Sequence, residues 1–288
     1  MKQIKLLFLL ASASVTGAFA QSNGLTDMSQ SRYAKMANTG IDAVHWTNGF
    51  WGERFNVFSG TSLQSMWNTW NTPEVSHGFR NFEIAAGICK GEHWGPPFHD
   101  GDMYKWMEGV ASVYAVNKDP ELDKLMDNFI ACVVKAQRAD GYIHTPVIIE
   151  ELNKGIDSHT QADSQQQTVI GTKVGSEDEK GAFANRLNFE TYNLGHLMMA
   201  GIVHHRATGK TTLLDAAVKA TDFLCHFYET ASAELARNAI CPSHYMGVVE
   251  MYRATGNPRY LELSKNLIDI RGMVESGTDD NQDRIPFR

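Results

Sequence analysis

Residues 98–109, FHDGDMYKWMEG, gather acids, a lysine and large aromatics around a helix start. Solvent has no use for the aromatics and a core has none for the charges. A sugar-binding cleft uses both, setting rings against C–H faces and carboxylates against hydroxyls. The candidates this stretch offers are Asp100, Asp102 and Tyr104, and at least one of the two acids is expected to reach the cleft. Asp100 has a plainer alternative role, because an acid at a helix start caps it and complements its dipole. Tyr104 and Trp106 cannot share one helix face, so one is expected in the core and the other in the cleft.

Two further stretches carry the same chemistry. In QRADGYIHT, residues 137–145, the Asp140-Gly141 turn leads into a short extended segment with Tyr142 and His144 on one side. They read either as two sugar contacts or as a packed tyrosine with an exposed histidine. In NRLNFETYNLGHLMMAGIVHH, residues 185–205, Glu190 stands near a helix start and is the better cleft candidate. Asn193, His196 and Met199 fall near one face, and His196 reads as an ordinary helix residue. The His204-His205 pair sits at the helix end, where cations suit the dipole. No H-E-x-x-H, G-x-S-x-G or Gly-rich phosphate loop is present. The sequence alone pairs no two carboxylates for glycosidic cleavage.

The elements that must position these residues are helices. Residues 120–137 carry Leu122, Leu125, Met126, Phe129, Ile130 and Val133 at helical spacing behind Pro120 in the first turn. Residues 193–205, 211–228, 245–253 and 258–270 show the same period. HHRATGKTTLLDAAVKATDFL (204–224) resembles MYRATGNPRYLELSKNLIDI (251–270), and Gly209 and Gly256, 47 residues apart, suit helix C-caps. Residues 113–133 fit the frame more loosely. Such a period means stacked helical hairpins, arranged either as an open protein-binding solenoid or as a closed α/α toroid around a cleft. The aromatic-rich helix starts favour the toroid. Residues 144–182, polar and Gly-rich, are expected to form a long loop with a β-hairpin, VIIEE and TVIGT being short strands.

The 288 residues suit one large domain or two ordinary ones, and 43% apolar with 20% charged residues is ordinary for a globular protein. A net charge of -7 without a basic run argues against a nucleic-acid partner. Lys2 and Lys5, an apolar run from Leu6 and Ala18-Phe19-Ala20 have the form of a secretory signal peptide over residues 1–20. The protein is therefore expected to be exported, to the periplasm or beyond, with residues 21–39 as a linker before the domain. No stretch is long enough to span a membrane. Of the cysteines, Cys132 and Cys225 sit in apolar helical patterns and are expected as buried thiols, with Cys89 and Cys241 completing the set.

FWGERF (50–55), FRNFEIAAG (79–87), PPFHDGDMYKWMEG (96–109), AQRADGYI (136–143), FETYNLGHL (189–197) and YRATGNPRYLELSKNLIDIRG (252–272) occur in this order. Together they resemble the N-terminal half of glycoside hydrolase family 127, the β-L-arabinofuranosidases, with the related family 146 similar. The resemblance implies an all-α, six-hairpin α/α toroid, about half of it present over residues 40–288. It implies retaining hydrolysis of arabinose-containing oligo- or polysaccharides by a zinc-held cysteine thiolate with a separate glutamate as acid/base. The family's Glu-x-Cys and Cys-Cys zinc motifs do not occur here, so no catalytic residue and no metal ligand is assigned, and zinc is expected only in the complete protein. The positions carried over are wall residues: Asp102, Tyr142, Glu190 and Tyr192, with His144 as a neighbour. The family's His-Glu-x-Tyr reads Phe189-Glu190-Thr191-Tyr192 here. Other readings are a different α/α-toroid enzyme, an uronyl hydrolase or lyase using Asp102 or Glu190 as its acid, and a non-catalytic glycan- or protein-binding array.

Overall fold

The computed structural model describes residues 24–155, 183, 189–231 and 243–272, and every regular element among them is helical. A first group comprises α1 (Gly49–Val57), a π turn (Phe58–Ser62), α2 (Leu63–Trp70) and α3 (Gly78–Ala85). Then come α4 (His99–Asn117), α5 (Pro120–Ala136), α6 (Thr145–Asn153), α7 (Glu190–Thr208) and α8 (Thr212–Thr230). The last pair is α9 (Ser243–Thr255) and α10 (Pro258–Gly272).

Three hairpins stack side by side, each an ascending helix followed by a descending one. Helix α4 packs on α7 and α7 on α9, forming one row; α5 packs on α8 and α8 on α10, forming the second. The rows differ in sequence for a physical reason. Helix α7 is buried on nearly every side, from Leu194 and Leu197 to Met198 and Val203, and so has no polar face. Helices α5 and α8 bury one stripe, Phe129, Ile130 and Val133 in α5 and Leu213, Ala217 and Leu224 in α8, and turn charge outward. The double row of antiparallel hairpins is the α/α-toroid arrangement.

The hairpin turns follow the Thr-Gly repeat. Gly209 ends α7 at φ 78° and Gly256 follows α9 at φ 70°, a left-handed conformation that glycine adopts without a Cβ penalty. The looser third copy puts Lys118 at the same position with φ 54°. Asp119 then caps α5 by accepting from the Glu121 N–H, with Pro120 in the first turn.

One expectation is corrected. The VIIEE segment is no strand: it lies inside α6, with Pro146 in the first turn and Val147, Ile148 and Ile149 buried against α3. Three adjacent β-branched residues read as a strand, but packing on a neighbouring helix overrides propensity. TVIGT lies outside the described residues, as do residues 1–20, Cys241 and the stretch after Gly272.

The segment before α1 is pinned. Arg206 donates to the Gly24 and Leu25 carbonyls, and the Asp27 N–H donates to Glu250. Arg206 and Glu250 form a buried ion pair at 3.4 Å that joins α7 to α9, and Arg253 also reaches Glu250.

Candidate functional site

The N-terminal ends of α4 and α7 lie side by side, and the predicted residues collect there. Asp100, in the first turn of α4, is buried. It does not cap its own helix. Its carboxylate accepts from the Thr145 N–H at 2.7 Å and the Thr145 hydroxyl at 2.6 Å, binding the start of α6 to the start of α4. His144 Nδ1 lies 3.5 Å from the same carboxylate. Burial alone pushes the Asp100 carboxyl up. The His144 imidazole and the two Thr145 donors outweigh it and hold the group below its ordinary value.

Glu190 is the first residue of α7 and only 4% exposed. It accepts from the Tyr142 hydroxyl at 2.5 Å and from the Phe183 N–H at 2.7 Å. Here burial wins, and the carboxyl is pushed above its ordinary value despite the opposing pull of His144, Tyr142, Phe183 and Arg138. Two buried carboxylates at adjoining helix starts are thus driven in opposite directions by their surroundings.

Asn193 closes the network. Its side-chain oxygen accepts from the Gly101 N–H at 2.8 Å, and its amide donates to the Pro97 carbonyl at 2.9 Å and lies 3.3 Å from His144 Nδ1. Gly101 allows this approach, because a Cβ there would stand 2.7 Å from both Asn193 Oδ1 and the Tyr192 ring. His144 Nε2 is buried without a hydrogen-bond partner among the described residues.

Above this floor lies a half-exposed row on α4 and α7. Asp102 and Lys105 pair at 2.8 Å. Lys105 also contacts the Tyr192 hydroxyl and sits 4.9 Å over its ring. Tyr192 meets His196 edge-on at 4.7 Å, and His196 faces Glu108 at 3.7 Å. Carboxylate, ammonium, phenol and imidazole alternate along this row, the set of groups that binds sugar hydroxyls.

Six of the seven predicted residues fall into these two layers: Asp100, Tyr142, His144 and Glu190 in the floor, Asp102 and Tyr192 in the row. Tyr142 and His144 are both wholly buried, which fits neither a cleft-wall pair nor an exposed histidine. Tyr104 is set apart. Its ring is buried between Phe82 and Phe129, and Trp106 is buried too, so neither faces a cleft. Helix α4 is covered on several sides at once, which one-face reasoning does not anticipate. His204 is likewise buried, and burial pushes it down to about 4, so it is neutral rather than a cation at the end of α7.

Thr145 and Asn193 are the floor residues that sequence reasoning does not single out, as Lys105, Glu108 and His196 are in the row; for the first two a reason is visible. Their signal is faint: a hydroxyl beside a helix-starting proline, and an amide one turn after an acid in an otherwise apolar helix. The two buried cysteines do not fit a zinc-thiolate centre. Cys132 and Cys225 are free and buried, and burial pushes each thiol up to about 11. No three His, Cys, Asp or Glu side chains converge as a metal requires among the described residues.

Comparison with known proteins agrees with this geometry. The chain is 32% identical over 197 residues to the non-reducing end β-L-arabinofuranosidase of Bifidobacterium longum subsp. longum, covering 68% of this chain and 27% of that protein. A solved glycoside hydrolase is 74% identical with a TM-score of 0.64, over 92% of this chain and 32% of that one. The crystal structure of a GH127 β-L-arabinofuranosidase from Geobacillus stearothermophilus T6 is 29% identical with a TM-score of 0.62, over 80% of this chain and 33% of that one. The chain thus spans about a third of the length of these relatives. The sequence model of the β-L-arabinofuranosidase GH127 catalytic domain matches residues 43–288, and the chain belongs to this glycoside hydrolase family.

Proposed function

We propose that this chain forms one wall and the floor of the sugar site of an exported, retaining β-L-arabinofuranosidase acting on arabinose-containing glycans. The observation that carries the reading is the convergence of Asp100, Thr145, His144, Asn193, Glu190 and Tyr142 at the adjoining starts of α4 and α7. In this reading the floor is a rigid support. Asp100 fixes His144 beside it through Thr145, Asn193 locks α4 to α7, and Glu190 ties the start of α7 to Tyr142 and Phe183 through its two carboxyl oxygens. The row above, Asp102, Lys105, Tyr192, His196 and Glu108, meets the sugar hydroxyls. The charged members orient the glycoside and the aromatic ones cover its C–H surface. Export is supported by the Lys2-Lys5, apolar-run and Ala-Phe-Ala sequence at residues 1–20. Cys132 and Cys225, buried thiols pushed up to about 11, do not offer the thiolate of this reading, and no zinc ligand or acid/base glutamate is assigned among the described residues.

The test is a substrate panel given to the intact gene product: a 4-nitrophenyl β-L-arabinofuranoside, its α-anomer, a β-D-xylopyranoside and an unsaturated uronide. Release from the β-L-arabinofuranoside, with the product formed first as the β-anomer by proton NMR, is the expected result. Turnover of the unsaturated uronide instead would move Glu190 or Asp102 to the role of catalytic acid and overturn the reading.

A further inference from the structure

Three non-glycine residues among those described adopt positive φ: Lys118, Phe183 and Phe189. Lys118 has an ordinary reason at a helix C-cap. The other two are phenylalanines, and both bear on Glu190. Phe183, at φ 63°, turns its N–H onto the Glu190 carboxylate, while its ring stacks on Phe227 at 4.0 Å. Phe189, at φ 58° and ψ 28°, is the residue just before Glu190 and starts α7. A bulky side chain in this region is a backbone outlier, and it persists only where the surroundings hold it there.

The ring of Phe183 accounts for its placement, since it is buried in an aromatic stack. The ring of Phe189 is not buried in this way. It remains half-exposed, edge-on to Phe98 at 5.3 Å and to Tyr192 at 6.0 Å. Tyr192 in turn meets His196, so Phe98, Phe189, Tyr192 and His196 form a continuous half-exposed aromatic wall. The polar groups of Lys105, Asp102 and Glu108 adjoin its Tyr192–His196 end only. Among the described residues, the Phe98–Phe189 end is two phenylalanine rings, with the His99 imidazole edge-on to the far side of the pair at Phe98, 6.3 Å away. A glycine or asparagine would take this left-handed start of α7 with less strain than phenylalanine, and the contacts with Phe98 and Tyr192 leave the ring half-exposed.

We infer that Phe189 is a specificity-determining residue: its exposed ring face receives the C–H face of the bound pentofuranoside and admits no sugar hydroxyl at that position. The inference rests on the sugar-site reading above and adds its orientation. The polar substituents point along Lys105 and Asp102, and the apolar face lies on Phe189. A hydroxyl directed at the Phe189 ring would give up its water without a hydrogen-bond partner on that ring.

Ligand-observed NMR titrations with methyl β-L-arabinofuranoside and methyl β-D-xylopyranoside test this on the purified protein and on F189Y, F189A and F189G, with Tm measured on each. Glycine adopts the left-handed backbone freely, so F189G removes the ring without the strain that F189A retains. The expected result is wild-type affinity for the furanoside in F189Y and a loss of at least about tenfold in F189A and F189G, with Tm of F189G no lower than that of wild type. Equal affinity in wild type and F189G overturns the inference while leaving the arabinofuranoside reading intact. If wild type prefers the xylopyranoside, the arabinofuranoside reading fails and the furanoside contact assigned to Phe189 fails with it. Binding of neither sugar to wild type overturns both.

Discussion

Removing the imidazole of His204 should flatten the acid side of the stability profile. His204 lies inside α7, is 0% exposed, and has no hydrogen-bond partner for either ring nitrogen among the described residues. Burial first, then Lys210 and, least, the neighbouring His205 push it from 6.5 to about 4 against the pull of Asp127 and Asp123. The unfolded chain takes up the proton at the ordinary value, and the folded chain resists it until about 4. The unfolded state therefore binds more protons across this window. Stability is full above about pH 6.5 and is lost as pH falls toward 4. At about 1.4 kcal/mol per unit, the gap amounts to about 3 kcal/mol. The assay is urea unfolding of wild type and His204→Leu at half-unit steps from pH 7.5 to 4. Leucine fills a similar volume and cannot titrate. Groups common to both proteins cancel, including His93, which burial also pushes down to about 4. The wild-type curve should fall about 3 kcal/mol further than the variant's over this range. Parallel curves, within about 0.5 kcal/mol, would refute a neutral, unpartnered His204.

Three other outcomes follow from the same contacts. Glu250→Gln removes the charge facing Arg206 in a buried pair, and should lower stability by about 3–5 kcal/mol, read as a drop in the urea midpoint; no change would mean water already reaches the pair. Thr145→Val keeps the shape but takes one donor from the buried Asp100 carboxylate, at a cost of about 1–3 kcal/mol in urea unfolding at neutral pH. Because Asp100 is held low, its share of stability is present above its ordinary value and lost as pH falls through the folded one, and the variant should lose less on acidification. Gly101→Ala sets a methyl 2.7 Å from Asn193 Oδ1 and should cost about 1–3 kcal/mol in thermal unfolding while weakening sugar binding.

What the sequence made legible depends on the range of the interaction. The helices at 120–136, 212–230 and 258–272 follow from local apolar periodicity and from the turns at Gly209 and Gly256, each decided within a few residues. The candidate acids were legible for the same reason, since Asp100 and Glu190 stand at helix starts. Their partners were not. Thr145 is 45 residues from Asp100, and Tyr142 is 48 from Glu190. No local pattern records that α4, α6 and α7 begin side by side. Helix α4 also defeats a one-face reading, since Tyr104 and Trp106 are buried on different sides of it. In α6 the β-branched run Val147–Ile149 pointed to a strand, and only its contact with α3 decided for helix. The Arg206–Glu250 pair left no trace beyond an arginine and a glutamate in two apolar helices.

The account stands on Glu190, a buried carboxyl held by Tyr142 and Phe183 at the start of α7, as the organising group of a β-L-arabinofuranoside site. The most direct measurement is kcat/KM of the intact gene product on 4-nitrophenyl β-L-arabinofuranoside, for wild type and Glu190→Gln, with Tm alongside. The account predicts turnover by wild type and a loss of at least about a hundredfold in the variant, with the fold retained. Wild-type turnover that survives Glu190→Gln would contradict it.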